Sequence, residues 1–324
     1  MTRAILVHAY GGPEVLQPGS VEVGAPGPGE VHLRHTAIGL NYIDVYIRTG
    51  AYPQPSFPFV PGMEGAGEVV ACGPDVTGLA VGDRVAYAGP IGAYCAERLI
   101  PADRVVKLPA EIADETAAAM MLQGMTVHYL FHRTFKVGPQ TTMLFHAAAG
   151  GVGLIACQWA RHLGATLIGT AGTDEKCALA MQHGATHMIN YQSEDVTARV
   201  AELTEGKGVD VVYDSVGQAM LDTSLDSLRT FGLFVSYGAA SGPITNFDIG
   251  VLAKKGSLFM TRPTLFNYIA ERDDLVAAAE ALFDVVARGI VDIRIAQRFA
   301  LEDAGDAHRA LEARQTTGST ILTV

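Results

Sequence analysis

From Thr141 to about Arg262 the sequence alternates short apolar runs with amphipathic stretches, and this rhythm constrains the fold more than any single motif. "TTMLFHA", "ATLIGTAG", "THMINY", "VDVVYDSVG" and "LFVSYGA" are the apolar runs, with "GSLFMTR" as one more. They are apolar without strict alternation, the mark of strands buried on both faces of a parallel, helix-covered sheet. Between them "GGVGLIACQWARHLG", "TDEKCALAMQHG", "SEDVTARVAELTEG" and "QAMLDTSLDSLRTFG" read as helices, the first two closed by Gly164 and Gly184.

One turn in this series carries chemistry. In "HAAAGGVGLIACQWA" the residues Ala148, Gly150 and Gly153 stand at the glycine positions of a G-x-G-x-x-G phosphate loop, with alanine in the first. The loop follows a predicted strand and opens a predicted helix, the context that makes the pattern informative. Gly150 lets the backbone approach a pyrophosphate, Gly153 lets helix and strand pack closely, and the helix N-terminus presents unpaired N–H groups. A nucleotide site is expected.

The end of the second strand bears on which nucleotide binds. Thr170, Ala171, Gly172 and Thr173 stand where an NAD-preferring site would carry an acid for the ribose hydroxyl. Small residues leave room for a 2′-phosphate, and Lys176 supplies a counter-charge, so NADP(H) is favoured. Asp174 and Glu175 could turn toward a ribose instead; their other reading is as first-turn acids of a helix capped by Thr173.

Residues 1 to about 120 have a different texture. Short strands separated by Gly and Pro turns predict a β-rich, barrel-like region, with "VGDRV" marking a tight turn before a half-buried strand. A helix is expected over "ADETAAAMMLQGMTVHYLFH", capped by Asp114. The final segment, with "DDLVAAAEALFDVVARG" and "LEDAGDAHRALEAR", reads as amphipathic helix packing back onto the first region.

Composition removes several classes of function. Net charge is -11 with no cluster of Lys and Arg, which disfavours nucleic acid or an anionic membrane as partner. No apolar run is long enough to span a bilayer. Cys72, Cys95, Cys157 and Cys177 form no C-x-x-C pair, so reduced thiols and a cytoplasmic location are expected.

"GGPEVL", "GLNYIDVYIRTGAYP", "PGMEGAGEVV", "VGDRVAY", the glycine loop, "VVYDSVG" and "KGSLFMTRPTL" follow one another in this order. Together they closely resemble the quinone oxidoreductase branch of the medium-chain dehydrogenase/reductase superfamily, the group that includes zeta-crystallin. The resemblance spans essentially the whole chain. It implies an α/β fold: a GroES-like catalytic domain over residues 1–122, completed by 262–324, and an inserted Rossmann domain over 123–261, with a cleft between them. It also implies NADPH as cofactor and a homodimer. On the same pattern Asn41, Tyr42, Asp44, Tyr46, Thr126 and Tyr129 would meet the cofactor. Gly150, Gly151 and Val152 would meet its pyrophosphate, and Gly172, Thr173, Lys176 and Tyr191 its adenosine-phosphate end. Val216, Gly238, Ala239, Ala240, Ser241, Pro263, Thr264, Leu265 and Arg314 would complete the shell.

Zinc dehydrogenases of the superfamily place a cysteine ligand near "NYIDVY" and a histidine in a G-H-E turn, whereas this sequence has Asn41 and Met63 there. An amide and a thioether are poor Zn²⁺ ligands, so no metal is expected. His128 and His132 have i, i+4 spacing, but without the glutamate of H-E-x-x-H they read as packed helix residues. A metal-free reductase suits an acceptor that is already electrophilic. The leading expectation is therefore an NADPH-dependent reductase of soluble quinones, with α,β-unsaturated carbonyls or enoyl thioesters as the rival substrates. Asn41, Tyr46 and Tyr52 are the candidate catalytic hydrogen-bond donors, the two tyrosines serving equally well as walls that stack or pack.

Overall fold

The computed structural model describes residues 1–324, which divide into two compact units. The first comprises Met1–Met125, Tyr268–Arg288 and Ile293–Val324; the second comprises Thr126–Asn267 and Gly289–Asp292. No helix is long and apolar enough to cross a membrane.

In the first unit the strands are β1 (Thr2–Leu6), β2 (Gln17–Val21), β3 (Glu30–Leu40), β4 (Glu64–Cys72), β5 (Arg84–Ala88), β6 (Glu97–Pro101) and β7 (Val106–Lys107). The second unit contains β8 (Thr142–Phe145), β9 (Thr166–Ala171), β10 (His187–Asn190), β11 (Val209–Asp214), β12 (Leu228–Ser236) and β13 (Phe259–Thr261). The chain then returns to the first unit for β14 (Ile295–Ala300) and β15 (Ser319–Thr323).

The second unit is a six-stranded, wholly parallel sheet in the order β10-β9-β8-β11-β12-β13. Counted from β8 this is the order 3-2-1-4-5-6 of a doubly wound nucleotide-binding sheet, with its switch point between β8 and β11. Leu144, Ile168, Ile189, Val212 and Phe234 are buried in one core cluster with Val200 and Leu225 from the covering helices. Burying each such side chain contributes roughly 1.5–3 kcal/mol. Gly164 and Gly184 do close helices, at φ +73° and +106°. The helix expected over "QAMLDTSLDSLRTFG" is shorter than its pattern: it spans Leu221–Asp226, and Leu228 already begins β12. Parallel pairing of Leu228 with Val209 overrides local helical preference there.

The first unit's main sheet runs β14-β15-β3-β4-β5-β7, with β6 also paired to β3. Strand β3 alternates in burial at its start and is continuously buried from Ala37 to Leu40, where the pairing with β15 begins. The strand after "VGDRV" is nearly fully buried rather than half-buried. Three expectations are corrected. The C-terminal segment is not all helix: the helix Ala304–Glu312 lies between β14 and β15, and β15 inserts antiparallel to β3 with Thr320 opposite Leu40. Asp114 is not an N-cap; Ala113 occupies that position. The Asp114 carboxylate instead accepts from Arg84 Nε and Thr36 Oγ1, both at 2.8 Å, because a tertiary cation outcompetes the local N–H groups. The helix expected over residues 113–132 is also broken, into Asp114–Ala118, Met121–Tyr129 and a π turn at Leu130–Thr134.

Candidate active site

In the second unit the site grows from the carboxyl ends of the strands. The turn after β8 passes through Ala147 at φ +56° and reaches Gly150, the N-cap of the helix Gly151–His162. A Cβ on Gly153 would lie 2.5 Å from the Ala148 carbonyl carbon and oxygen, so only glycine lets helix and turn meet. Alanine in the first loop position has its own compensation. A Cβ on Gly169 of β9 would lie 2.7 Å from the Ala148 Cβ, so the missing side chain at 169 makes room for the extra methyl.

Beyond β9, Thr173 caps the helix Asp174–Gln182 by accepting from the Lys176 N–H at 3.2 Å. Asp174 Oδ1 accepts from Asn190 Nδ2 at 2.7 Å, which draws it into the β10 end of the sheet. Gly172 faces Tyr191: a Cβ there would stand 2.6 Å from the phenol oxygen. The structure thus brings Gly172, Thr173, Lys176 and Tyr191 together beside the glycine loop's sheet edge.

Asp214, at the end of β11, was not picked out by its sequence context. Its carboxylate accepts from Val216 N at 2.6 Å and Gly217 N at 3.1 Å, fixing the turn that carries Val216. Burial pushes it up to about 6, against the pull of those two amides. Ser241 then laces the next loop to this one, its amide and hydroxyl both donating to the Val216 carbonyl at 2.7 and 2.8 Å. Gly238 packs directly on Ser215. Pro263, Thr264 and Leu265 follow β13, and Thr126 and Tyr129 lie buried on the helix Met121–Tyr129. His128 and His132 pack against each other and the Trp159 ring, with centroids 5.1 to 6.2 Å apart.

In the first unit the helix Tyr42–Arg48 presents Tyr42 and Tyr46 one turn apart, with ring centroids at 5.3 Å. Tyr46 meets Tyr52 edge-on at 5.4 Å, and the Tyr52 amide donates to the Tyr46 carbonyl. The three tyrosines form one aromatic row that ends at the exposed Tyr52. Arg314, at φ +57° after the helix Ala304–Glu312, acts electrostatically on Tyr42.

Asn41 and Asp44 open that helix but point inward. Asp44 Oδ2 accepts from the Asn41 N–H at 2.9 Å and from Tyr94 Oη at 3.0 Å. The Met63 amide acts on this carboxyl, yet no partner closes a hydrogen bond on Oδ1. Its carboxyl is thus a structural group, which leaves any cofactor contact to its backbone. Asn41 Nδ2 donates to Glu64 Oε2 at 2.5 Å, Gln123 Nε2 to Asn41 Oδ1 at 3.2 Å, and the Leu122 amide to Glu64 Oε1 at 2.9 Å. Glu64 is completely buried. Sequence reasoning passed over Glu64 and Gln123; the first of the two glutamates in the mostly apolar "PGMEGAGEVV" run was the available signal.

Burial pushes Asp44 up to about 7 and Glu64 up to about 8, outweighing the hydrogen bonds each accepts. Both are therefore protonated in the fold at a pH where the unfolded chain has already released those protons, so rising pH favours unfolding. Buried His35, His146 and His308 are held down to about 3, 4 and 3 by desolvation. They oppose this trend only below pH about 6.5, where unfolded histidine takes up protons. Stability is expected to fall by about 3 kcal/mol between pH 6.5 and 8.5. Urea titrations at the two pH values check this; coincident midpoints would contradict it.

A six-stranded parallel sheet with an open glycine loop at its switch point, inserted into a chain whose other unit is built on a mostly antiparallel sheet, defines a class. It is that of the medium-chain dehydrogenases and reductases. Residues 27–110 match the alcohol dehydrogenase GroES-like domain, and residues 151–282 the zinc-binding dehydrogenase family. A quinone oxidoreductase of Pseudomonas aeruginosa is 53% identical over 99% of each chain. The crystal structure of Escherichia coli quinone oxidoreductase complexed with NADPH superposes with a TM-score of 0.98 at 48% identity, covering 100% of both chains. A 2-haloacrylate reductase of a Burkholderia species is 46% identical over 99% of each chain. The chain belongs to the quinone oxidoreductase family of medium-chain dehydrogenases/reductases.

The zinc in the name of one matched family does not fit the residues present. Asn41 is committed to Glu64 and Gln123, Met63 is a buried thioether, and no three His, Cys, Asp or Glu side chains converge anywhere in the chain.

Proposed function

We propose that this chain is a zinc-independent, NADPH-dependent quinone oxidoreductase acting on soluble quinones. The observation that carries the reading is an intact dinucleotide cradle within a chain similar over its full length to quinone oxidoreductases. The residues present fit NADPH. Gly150 keeps the loop clear for a pyrophosphate, and Gly151 and Val152 offer it backbone N–H groups at a helix N-terminus. Gly172, whose missing side chain lets the Tyr191 phenol close on the turn, together with Thr173 and Lys176 suits a 2′-phosphate, and Asp174 is engaged elsewhere. When bound, NADPH supplies the electrons for reducing the acceptor.

The remaining work falls to this chain's own side chains. Asp214 holds the Val216 turn, and Ser241 ties the neighbouring loop to it, so the nucleotide wall is fixed before anything binds. In the first unit the Tyr42–Tyr46–Tyr52 row offers flat faces to a planar ring. Tyr46, Tyr52 and the second Nδ2 hydrogen of Asn41, the one not given to Glu64, are the groups we assign to donating hydrogen bonds as charge develops on the quinone oxygens. The other positions implied by the family pattern (Thr126, Tyr129, Gly238, Ala239, Ala240, Pro263, Thr264, Leu265 and Arg314) are assigned to the cofactor shell.

The four free cysteines suit a cytoplasmic enzyme. A homodimer joined through the β13 edge, where Phe259 is 61% exposed, accounts for that apolar edge residue. Light scattering that finds a stable monomer would remove the dimer.

The test is cofactor oxidation by purified, chelator-treated protein, using NADPH and NADH with a small naphthoquinone and with an α,β-unsaturated acid or ketone. Fast NADPH turnover with quinone is expected, and Lys176→Ala should lower the NADPH:NADH preference about tenfold, the worth of one charge-assisted contact. Preference for the unsaturated acid or ketone would move the function to alkene reduction, the reading favoured by the 2-haloacrylate reductase relative.

A further inference from the structure

The buried chain Glu64–Asn41–Gln123–Ser319 is completed by a hydroxyl with two acceptors. Ser319 Oγ lies 2.8 Å from Gln123 Oε1 and 3.0 Å from the Ala119 carbonyl, and all four side chains are buried. Every link in this chain is a carboxyl, a carboxamide or a hydroxyl, so the direction of donation can be reversed without moving a heavy atom out of its place in the chain.

With Glu64 ionised, Ser319 donates to Gln123 Oε1, Gln123 Nε2 to Asn41 Oδ1, and Asn41 Nδ2 to Glu64 Oε2. With one proton from water on Glu64 Oε2, that hydroxyl donates to the Asn41 oxygen. Both carboxamides then rotate by half a turn: Asn41 donates to Gln123, Gln123 donates to Ser319 Oγ, and Ser319 donates to Ala119. The Leu122 amide serves Glu64 Oε1 in both states.

We propose that Glu64 is a positioning residue for acceptor reduction: by holding one proton it sets the orientation of the Asn41 carboxamide through this reversible chain. The proposal rests on the reading of Asn41 as a group whose remaining N–H serves the acceptor.

The surroundings favour the protonated form. No positive charge is among the groups acting on Glu64; they are the Asn41 side chain, the Met121 and Leu122 backbone and the Asp44 carboxyl. From β3, Gly39 lies against it, Asn41 meets it from the start of the helix Tyr42–Arg48, and from β5 the Tyr87 phenol acts on it. His35 and Arg98 lie beyond that phenol, at 2.7 and 3.4 Å from its oxygen. Negative charge accumulates on a quinone oxygen as it is reduced, and a buried carboxylate beside Asn41 would oppose it. The protonated, neutral chain is the competent one.

The test compares pH profiles of the wild type and Glu64→Gln. The carboxamide introduced by this substitution donates to Asn41 and accepts from Leu122, so it copies the protonated state permanently. Wild-type kcat with quinone is expected to fall about tenfold as pH rises from 7 to 9, one hydrogen bond's worth. E64Q is expected to hold the wild type's low-pH rate throughout. A limb that persists in E64Q overturns the proposal; so does a folded E64Q that binds NADPH and is inactive at every pH, since the carboxyl itself would then be the reacting acid. An independent measurement needs neither variant nor acceptor. Glu64 is the one buried glutamate, so in protein carrying ¹³C-labelled glutamate a protonated carboxyl band at pH 7, lost by pH 9, belongs to it. Absence of that band at pH 7 overturns the proposal. A wild type that shows the band yet does not reduce quinone overturns the functional assignment instead.

Discussion

Arg48→Ala is expected to destabilise the protein by about 2–3 kcal/mol, the loss of the charge-assisted hydrogen bonds of a buried guanidinium whose partner carboxylate, 32% exposed, is left partly to water. Arg48 is 1% exposed at the end of the helix Tyr42–Arg48 and grips Glu312 with two parallel bonds of 2.8 Å. Its Nε also donates to the Gly11 carbonyl at 3.1 Å, and Nη1 to His308 Nδ1 at 3.2 Å. Desolvation keeps His308 neutral, so with Nδ1 accepting, its Nε2–H donates to Tyr94 Oη, which in turn donates to Asp44. One guanidinium therefore sets the tautomer and orientation of the groups that hold the helix carrying Tyr42 and Tyr46. Arg48→Lys cannot form the fork and should recover only part of the loss. Urea denaturation measures both; a loss under about 1 kcal/mol for Arg48→Ala would show that Glu312 is satisfied by water and the pair is not structural.

Gly153→Ala is expected to weaken NADPH binding about 100-fold, equivalent to about 2.7 kcal/mol. The added methyl would meet backbone atoms of Ala147 and Ala148 at 2.5–2.6 Å, and backbone cannot turn aside as a side chain can. The helix Gly151–His162 must move off the turn, carrying its N-terminal N–H groups away from the phosphate position. Gly150→Ala is the internal control. Its methyl would meet only the Ala147 oxygen, at 3.3 Å, and should cost less than about tenfold. Fluorescence titration with NADPH distinguishes them; equal losses at the two positions would mean that helix packing is not what tunes affinity.

Much of the second unit was legible in the residues alone. Its strands are apolar on both faces, its helices close at glycine, and Thr173 caps where the pattern places it, because each of these features is decided by a few neighbouring residues. The glycine loop was legible for the same reason, although its tolerance of Ala148 was not. That depends on Gly169, distant in sequence, lacking a side chain on the adjacent strand.

The first unit shows where local reading stops. "STILT" is too short to display a period, and it becomes strand β15 only because β3, near the other end of the chain, offers it an edge. Asp114 looks like a cap until Arg84 is brought beside it. Glu64, Gln123 and Ser319 carry no signal of a shared role in the sequence. Folding places their polar atoms 2.5–3.2 Å from one another or from Asn41, in the buried interior, where each must find a partner or lose its hydration uncompensated. Periodicity and turn chemistry are properties of adjacent residues, and the sequence by itself determined the nucleotide sheet, its loop and the family pattern. Pairing, desolvation and the direction of a buried hydrogen-bond chain belong to residues distant in sequence, and only the tertiary structure decided them.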